Sequence, residues 1–450
     1  MKKSITVIGG GLAGSEAAWQ IAERGIDVQL FEMRPLKQTG AHRTSDLAEL
    51  VCSNSLGSKL PDRASGVLMS ELRTLDSLLL HIAEGEALPA GGALAVDRES
   101  FGRKVTDQIT RHPRIEIIRQ EVRQLPEGAV VVSSGPLTSE NLSNEIARFT
   151  GEDHLYFFDA LSPIVESDSI DMTISFRASR YDRGETEDGD YINCPFTKPE
   201  YENFIDALLD AERFPLREFE ISIREGVRAG FHQYFEACLP IEVIAERGRD
   251  ALAYGPMRPV GLTDPRTGKR PHAVVQLRQD NLIASLYNLV GFQTNLTYQS
   301  QYHVFRLIPG LQKAEFVRYG QMHRNTFINS PKLLLPSLQA RFRPDLFFAG
   351  QITGVEGYLG NIATGLLAGV NASRLLADEI PLVLPTTTIL GALCSYISSS
   401  DPVRFQPMKA NFGILPGLED GVRRNRRQRA NAYAVRSSQA LYEYLKPKNN

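Results

Sequence analysis

The 450-residue sequence lacks any apolar run of about 18 residues, the length that a membrane-spanning helix needs. Cysteine is also scarce: the four thiols, at positions 52, 194, 238 and 394, form neither a C-x-x-C pair nor a spacing typical of metal ligands. We expect no cleavable export signal, because the first apolar segment carries no cleavage site. We therefore expect no metal site and no membrane segment, in the reducing environment of the cytoplasm.

An excess of positive charge is missing as well. The 50 lysines and arginines are outnumbered by 53 aspartates and glutamates, which gives a formal net charge of −3. Contact with a nucleic acid would therefore have to come from a local basic patch. The length allows two or three domains with a large core.

A glycine-rich turn lies between an apolar strand pattern at residues 5–8 and a helical pattern that follows it. In this G-x-G-x-x-G pattern the first glycine permits a tight turn, the second lets a pyrophosphate approach the backbone, and the third lets the helix lie against the strand. The phosphates then meet unpaired N–H groups at the helix N-terminus. The pattern predicts a dinucleotide site formed by Gly9, Gly10, Gly11, Leu12, Ala13 and Gly14.

An acidic residue follows the second strand pattern, residues 28–31, at the position expected for a ribose ligand. Glu32 lies about 20 residues after the glycines, where a carboxylate accepts hydrogen bonds from ribose hydroxyls. A glycine-rich turn without a ligand would leave Glu32 unexplained. Beyond it we expect a long functional loop over residues 33–66, a helix over 67–83, a helix opened by Asp97, and strands at 115–118 and 129–132.

The middle of the chain, residues 160–335, has more aromatic residues and prolines, with short strand patterns such as 273–277. We interpret it as an inserted α+β substrate domain. A first part, residues 1–159, and a second part, residues 336–450, would together form an α/β, Rossmann-like FAD-binding domain of the glutathione-reductase type. The second part ends in a basic helical segment.

A second glycine-rich junction supports FAD rather than NAD as the dinucleotide. An apolar strand pattern ends at residue 349, and small residues in the helix predicted over 361–376 suit close packing on the sheet. A late junction of this kind is typical of two-part flavoproteins, where it closes over the pyrophosphate and the flavin. Its candidate cofactor-binding residues are Gly350, Gln351, Gly354 and Gly357.

Two cysteines are candidates for catalysis. Cys52 lies in the polar loop that should approach the flavin, and without a second cysteine nearby it does not form a dithiol relay. Cys238 precedes a Leu-Pro pair and follows Glu236, which could exchange a proton. Both cysteines could instead be inert, whereas Cys194 and Cys394 suit the core.

Polar and basic clusters add weaker signals. His323 stands in a polar segment that could stack on or hydrogen-bond a ligand ring, although a lone histidine more often has a structural role. Residues 288–294 form a similar polar loop. The basic run 423–429, followed by Tyr433, Tyr442 and Tyr444, suits either a solvated helix face or a phosphate-binding surface with aromatic side chains.

Several of these motifs closely resemble one family, the bacterial folate- and FAD-dependent tRNA uracil-5 methyltransferases. The resemblance extends from Ile5 to about Leu376 and is loose beyond. It is carried by the segments 7–17, 50–55, 254–262, 276–278, 288–294, 322–326 and 350–358.

The resemblance implies methylation of C5 of the T-loop uridine in the T-arm of tRNA. Methylenetetrahydrofolate would supply the carbon, reduced FAD the electrons, and NADH or NADPH would reduce the flavin. A thiolate that adds to C6 of uracil makes C5 nucleophilic, so two cysteines with separate tasks are plausible. By likeness to the family we assign Cys238 to the attack on C6 and Cys52 to the methylene or a proton, with the opposite assignment left open. His323 is the candidate for stacking on the folate pterin, and the basic C-terminal surface could contact tRNA.

Three alternatives remain open at the level of sequence. A related enzyme uses FAD and folate to modify the wobble uridine of tRNA, but it is longer and has a different cysteine loop. A small-molecule NAD(P)H-dependent flavin oxidoreductase would need no nucleic-acid surface. A flavin-containing RNA-binding protein without turnover would tolerate removal of the thiols. The oligomeric state is not predicted.

Overall fold

The computed structural model describes residues 4–152, 155–160, 162–214, 239–320, 322–418 and 425–446. A mostly parallel sheet contains the strands predicted in the first part of the chain and the apolar strand predicted to end at residue 349. Its outermost strand at one side pairs antiparallel and the others run parallel, because helical crossovers return the chain to the same edge. In spatial order the strands are Gln339–Ala340, Arg343–Phe348, Val130–Val132, Ser4–Ile8, Asp27–Phe31 and Ile115–Ile118.

The helix Leu12–Glu23 that follows the glycine turn packs closely against the late helix Tyr358–Leu376. A Cβ atom built on Gly365 would lie 2.2 Å from the carbonyl oxygen of Ala13, and one on Gly369 would lie 2.6 Å from that of Ala17. The prediction that these small residues serve packing on the sheet was therefore incomplete. Their glycines permit a close helix–helix contact, which aligns the two glycine-rich junctions.

A second, antiparallel sheet is formed within the middle of the chain. Its apolar face packs on helices from the same region, including Lys198–Asp210 and Ile241–Glu246, in a core separate from that of the parallel sheet. In spatial order its strands are Phe176–Ala178, Tyr191–Phe196, Ala273–Gln279, Leu286–Leu289, Ile164–Glu166 and Phe316–Arg318. This arrangement agrees with the predicted α+β character, while the boundaries at residues 159 and 335 stay a prediction.

The remaining described strands form two pairs and one small three-stranded sheet. The antiparallel pair Leu155–Ala160 and Met322–Phe327 lies where the chain passes into and out of the middle region. The strands Ser55–Ser58, Ala93–Val96 and Ala87–Leu88 form a small antiparallel sheet. Val355–Glu356 pairs in parallel with Met408–Lys409.

Two local predictions were wrong in their boundaries. The loop expected over residues 33–66 already gives way to the strand Ser55–Ser58, and the helix expected over 67–83 is two helices, Ala64–Thr74 and Leu78–Gly85. Apolar spacing continues across the break, but Asp76 adopts a positive φ of 59° between the helices. The buried carboxylate of Glu16 then accepts hydrogen bonds from the backbone N–H groups of Leu78 and Leu79. Ser77 also caps the second helix by accepting a hydrogen bond from the N–H of Leu80, a local signal that was missed. The contribution of the distant Glu16 could not be inferred from apolar spacing.

Other predictions were confirmed. Asp97 accepts a hydrogen bond from the N–H of Ser100 and so caps the helix Arg98–Arg111. The strand patterns near 115–118, 129–132 and 273–277 all correspond to strands. The described part of the chain contains no helix that is long and apolar enough to cross a membrane.

The remaining described helices lie around the two sheets. Glu71 is buried and accepts hydrogen bonds from the N–H groups of Ile389 and Leu390 and from Ser437, which joins the last two helices to the Ala64–Thr74 helix. These α-helices are Glu140–Thr150, Ala251–Tyr254, Tyr298–Val304, Ser330–Leu333, Ile389–Ser399 and Arg426–Leu445. Short 3-10 helices occupy Ser167–Ser169, Arg180–Asp182, Phe305–Leu307, Gln351–Thr353 and Phe412–Ile414.

Candidate active site

A cleft opens at the carboxyl ends of the parallel strands, where the chain leaves each strand for a loop or helix. Such an edge is the usual ligand site of an open α/β sheet. The empty space of the cleft is about 990 Å³. Its wall includes residues one or two positions beyond the ends of five strands: Gly9, Glu32, Gln120, Ser133 and Gly350. The polar segment 133–139, which lines much of the cleft, was missed at the level of sequence, although its place after a buried strand was the signal.

The three glycines of the first turn occupy different surroundings. Gly9 has a φ of 101°, and a Cβ there would lie 2.6 Å from the carbonyl oxygen of Ser133. A Cβ on Gly14 would lie 1.8 Å from the carbonyl oxygen of Gly9, so helix and turn touch. Around a Cβ on Gly11, by contrast, no described atom lies within 4 Å. Open space at this one glycine, beside the first N–H groups of a helix, is what the approach of a phosphate requires.

Glu32 is held in place by neighbours in the same region. Its Oε2 accepts a hydrogen bond from the N–H of Gly10 at 2.9 Å, and its Oε1 pairs with Nε of Arg34 at 3.0 Å. Burial alone would raise the pKa of Glu32, but the charge of Arg34 and the donated hydrogen bonds hold that pKa below its ordinary value. The buried Arg34 also pairs with Glu49 and so fixes the start of the loop over residues 33–54. Arg34 and Glu49 were not predicted.

The late glycine junction lies beside the first one. Gly350 and Gln351 line the cleft, and a Cβ on Gly350 would lie 2.8 Å from Cβ of Ala13. Gly357 lines an adjoining cavity, whereas Gly354 lies against the ring of Phe405. The buried Oδ1 of Asn361, another residue of the cleft wall, has no hydrogen-bond partner among the described residues.

These observations fit a bound dinucleotide. The open space at Gly11, the ionised carboxylate of Glu32 and the orphaned acceptor of Asn361 are polar features that the described residues leave available to a ligand. Within the described ranges, no cluster of three or more His, Cys, Asp or Glu side chains could hold a metal ion.

A second cavity, with about 1240 Å³ of empty space, adjoins the cleft and contains Cys52 in its wall. Its lining also includes Asn325, Glu356 and Lys409. The two cavities have part of their wall in common, since both are lined by Val51, Pro136, Leu137, Gln351, Tyr358 and Asn361. We refer to the cleft and this cavity together as the chamber, which extends from the glycine turn to a cysteine.

Tyr358 anchors the Cys52 loop from the start of the late helix. Its hydroxyl oxygen accepts hydrogen bonds from the N–H groups of Cys52 at 2.9 Å and Ser53 at 3.0 Å. Burial, followed by the proximity of Cys52, raises the pKa of Tyr358, so the phenol keeps its proton at neutral pH. This role was not predicted.

Three arginines donate hydrogen bonds to the same loop. Arg98 donates to the carbonyl oxygens of Leu50 and Val51, and Arg318 donates to those of Val51 and Cys52. Arg278 donates to Oδ1 of Asn54 and Oγ of Ser53. Arg278 belongs to one of the family-like motifs, but nothing in the sequence assigned it or the other two arginines to Cys52.

The remaining candidates differ in what the structure describes. Cys238 and its neighbour Glu236 lie outside the described residues. The backbone of His323 belongs to the strand Met322–Phe327, whose Asn325 lines the cavity, but its side chain is outside the described part. Cys194 and Cys394 are buried, and burial raises the pKa of each thiol to about 12, which suits core residues.

The polar loop after residue 288 has a mainly structural role. The buried Glu242 accepts hydrogen bonds from Thr294 and from the N–H of Asn295, which ties the loop to the helix Ile241–Glu246. At the C-terminus, Tyr433 stacks on Phe412 and Tyr444 accepts a hydrogen bond from Val383, while Tyr442 is exposed.

Comparisons with known proteins agree with this arrangement. The family model described as glucose inhibited division protein A matches residues 4–379. A methylenetetrahydrofolate–tRNA-(uracil-5-)-methyltransferase TrmFO from an Exiguobacterium species is 53% identical over 445 residues and covers 99% of both chains. The protein of the same name from Desulforamulus reducens is 55% identical, covering 98% of this chain and 97% of the relative.

Among solved structures, GidA from Aquifex aeolicus superposes with a TM-score of 0.67 at 16% identity, covering 98% of this chain and 74% of that one. This likeness confirms the predicted fold class. The family match and the curated relatives both extend over most of the chain. The chain therefore belongs to the glucose inhibited division protein A family and, within it, to the group of its relatives named methylenetetrahydrofolate–tRNA-(uracil-5-)-methyltransferase.

Proposed function

We propose that this protein methylates C5 of the T-loop uridine in tRNA, with methylenetetrahydrofolate as carbon donor and FAD as redox cofactor. The observation that carries the proposal is the identity of 53% and 55% to methyltransferases of that name over nearly the whole length of each. The chamber supports it, because the glycine cradle lines one of its two adjoining cavities and a cysteine lines the other.

We assign the cradle end to the cofactor. Gly9, Gly10, Gly11, Leu12, Ala13 and Gly14 would hold the pyrophosphate of FAD, Glu32 the ribose, and Gly350, Gln351, Gly354 and Gly357 the late junction around it. When bound, FAD supplies the electrons and methylenetetrahydrofolate the carbon. His323 would stack on the pterin.

The two cysteines would divide the chemistry. The thiolate of Cys238 adds to C6 of uracil and makes C5 nucleophilic, and the thiol of Cys52 serves the methylene carbon or a proton. Tyr358 holds the Cys52 backbone, and its retained proton can be donated to a group in the chamber.

Three finer elements belong to the same proposal. NADH or NADPH would reduce the flavin. The cytoplasm, where tRNA is modified, would be the site of the reaction. The exposed Arg427 and Arg429 near the start of the last helix would contact tRNA phosphates, an interaction that weakens as the salt concentration rises.

The test is reconstitution. Purified protein should be yellow and should form 5-methyluridine in the T loop of an unmodified transcript when methylenetetrahydrofolate and NAD(P)H are present. Methylation from S-adenosylmethionine instead of the folate would contradict the proposal. Oxidation of NAD(P)H without any change in the tRNA would favour a small-molecule oxidoreductase.

A transcript with 5-fluorouridine at the target position separates the two thiols. Fluorine at C5 replaces the hydrogen that is normally removed as a proton, and it cannot be removed as a cation. The thiol is then not eliminated, so the covalent protein–tRNA adduct accumulates. We expect Cys238→Ala not to form this adduct. Cys52→Ala should still form the bond between Cys238 and C6 of the uracil. The reverse pattern would exchange the two roles.

A further inference from the structure

The Cys52 loop is surrounded by more buried positive charge than is needed to satisfy its hydrogen-bond acceptors. Arg278 and Arg318 are 7% and 8% exposed, and the side chain of Arg98 is 12% exposed. Arg98 pairs with the buried Asp280 at 3.0 Å. Arg278 and Arg318 instead donate to neutral oxygens of side chains and backbone.

The charge of Asp280 also acts on Arg278 and Arg318, but one carboxylate does not balance three guanidinium groups. Burial of an unbalanced guanidinium group is costly, and a neutral donor could bind the same oxygens. Arg98 and Arg318 each also keep a buried Nε atom that has no hydrogen-bond partner among the described residues. The excess of charge therefore calls for an anion at this place.

Cys52 is the side chain within residues 50–54 that can become an anion. The charges of Arg98 and Arg318 both interact with it, and its carbonyl oxygen accepts from Arg318 at 3.4 Å. Tyr358 does not compete, because its phenol remains protonated. The charged or titratable groups around the cluster, from each element packed on it, are Arg98, Arg278, Arg318, Arg43, Asp280, Tyr358 and Tyr191, and the cavity that Cys52 lines adds Glu356 and Lys409.

We propose that Arg98, Arg278 and Arg318 are positioning residues that hold Cys52 as a thiolate at neutral pH. This deepens the proposed function, on which its catalytic meaning rests, because the thiolate is the reactive form of cysteine. The three arginines come from the helix Arg98–Arg111, the strand Ala273–Gln279 and the strand Phe316–Arg318. Both regions of the protein must therefore be assembled before the thiol is activated.

The test is the pH dependence of Cys52 alkylation by iodoacetamide in the FAD-loaded protein, with the Cys52 peptide quantified by mass spectrometry. An unperturbed thiol has a pKa of about 8.5, so its alkylation rate is half-maximal there. We expect the wild-type midpoint to lie well below that value. Loss of a nearby positive charge in Arg318→Met should raise the midpoint by about one pH unit or more. Arg318→Lys should largely restore it.

A second variant separates charge from structural damage. Asp280→Asn removes the carboxylate of the cluster, so the midpoint should fall, opposite to the change in Arg318→Met. Damage to the loop would move both midpoints in the same direction. Arg306→Met is the matched control, since Arg306 also donates to a backbone carbonyl, that of Ala314, in the same antiparallel region.

Equal midpoints in wild type and Arg318→Met, shifts of the same sign in both charge variants, or no alkylation of Cys52 up to about pH 10 would overturn the proposal. The assay needs neither tRNA nor folate. Failure of this inference is therefore distinguishable from failure of methylation.

Discussion

The two ends of the chamber are built in different ways. At the cradle end, the hydrogen bond from Gly10 to Glu32 spans 22 positions, and backbone groups of one short turn would provide the proposed phosphate site. At the Cys52 end, the contacts with Arg278, Arg318 and Tyr358 span 225, 266 and 306 positions. A backbone site can be encoded locally by glycines, whereas control of a thiol needs charges and hydroxyl groups brought together from distant segments.

Replacement of Cys52 by alanine should give the largest separation between the two ends. We expect methylation to fall on the order of 10³-fold or more, because a thiol that takes part in the chemistry has no substitute. Flavin content should stay at the wild-type level, since the cradle is untouched. The assay is 5-methyluridine formation alongside flavin absorbance. Cys394→Ala, in the core, is the control and should retain activity per folded molecule.

Substitutions at two glycines of the first glycine-rich motif should have different effects. Gly14→Val should destabilise the fold by about 3 kcal/mol or more, because its Cβ would overlap the carbonyl oxygen of Gly9. Gly11→Ala should change the unfolding free energy of the flavin-free protein by less than about 1 kcal/mol, yet weaken FAD binding about tenfold or more. Denaturant titration and flavin fluorescence measure the two effects. Comparable flavin affinity in Gly11→Ala and wild type would show that the phosphate lies elsewhere.

The ion pair of the cradle should show a pH dependence of known sign. Because the folded-state pKa of Glu32 lies below its ordinary value, the ionised carboxylate stabilises the protein above about pH 4.5, and this contribution is lost as the pH falls through the folded-state pKa. Glu32→Gln should cost on the order of 3 kcal/mol at neutral pH. The difference between variant and wild type, followed by urea unfolding at several pH values, should narrow in acid. A constant difference would argue against the charge of Glu32 as its cause.

Removal of the Tyr358 hydroxyl should have the smallest effect. Tyr358→Phe leaves the N–H groups of Cys52 and Ser53 without their acceptor, which should cost about 1–2 kcal/mol. FAD binding should change little, whereas methylation should drop because the loop loses an anchor. Thermal unfolding and turnover report the two effects. Tyr442→Phe, at an exposed position, is the control.

Local sequence patterns predicted individual helices and strands better than the breaks between them. The glycine turn, the strand that follows it and the Asp97 cap depend on residues a few positions apart, and their predictions were confirmed. The single helix expected over 67–83 was wrong, because the helix breaks at Asp76 and Ser77 caps a second helix, to which the buried Glu16 adds hydrogen bonds from a distant position. Apolar spacing records which face is buried but contains no information on such a cap.

The site divides along the same line. Candidates such as Gly11, Glu32 and Cys52 could be named from composition, motif and resemblance. Arg34, Arg98, Arg318 and Tyr358 could not, because an arginine or a tyrosine in a sequence has many possible partners.

The sequence by itself determined a glycine-rich turn between a strand and a helix, a late junction and a lone cysteine in a polar loop, since each follows from neighbouring residues. Only the tertiary structure decided that these features share one chamber and that buried arginines surround the cysteine loop. Electrostatic interactions act through space in a medium of low dielectric constant, so their strength depends on distance and burial rather than on position along the chain.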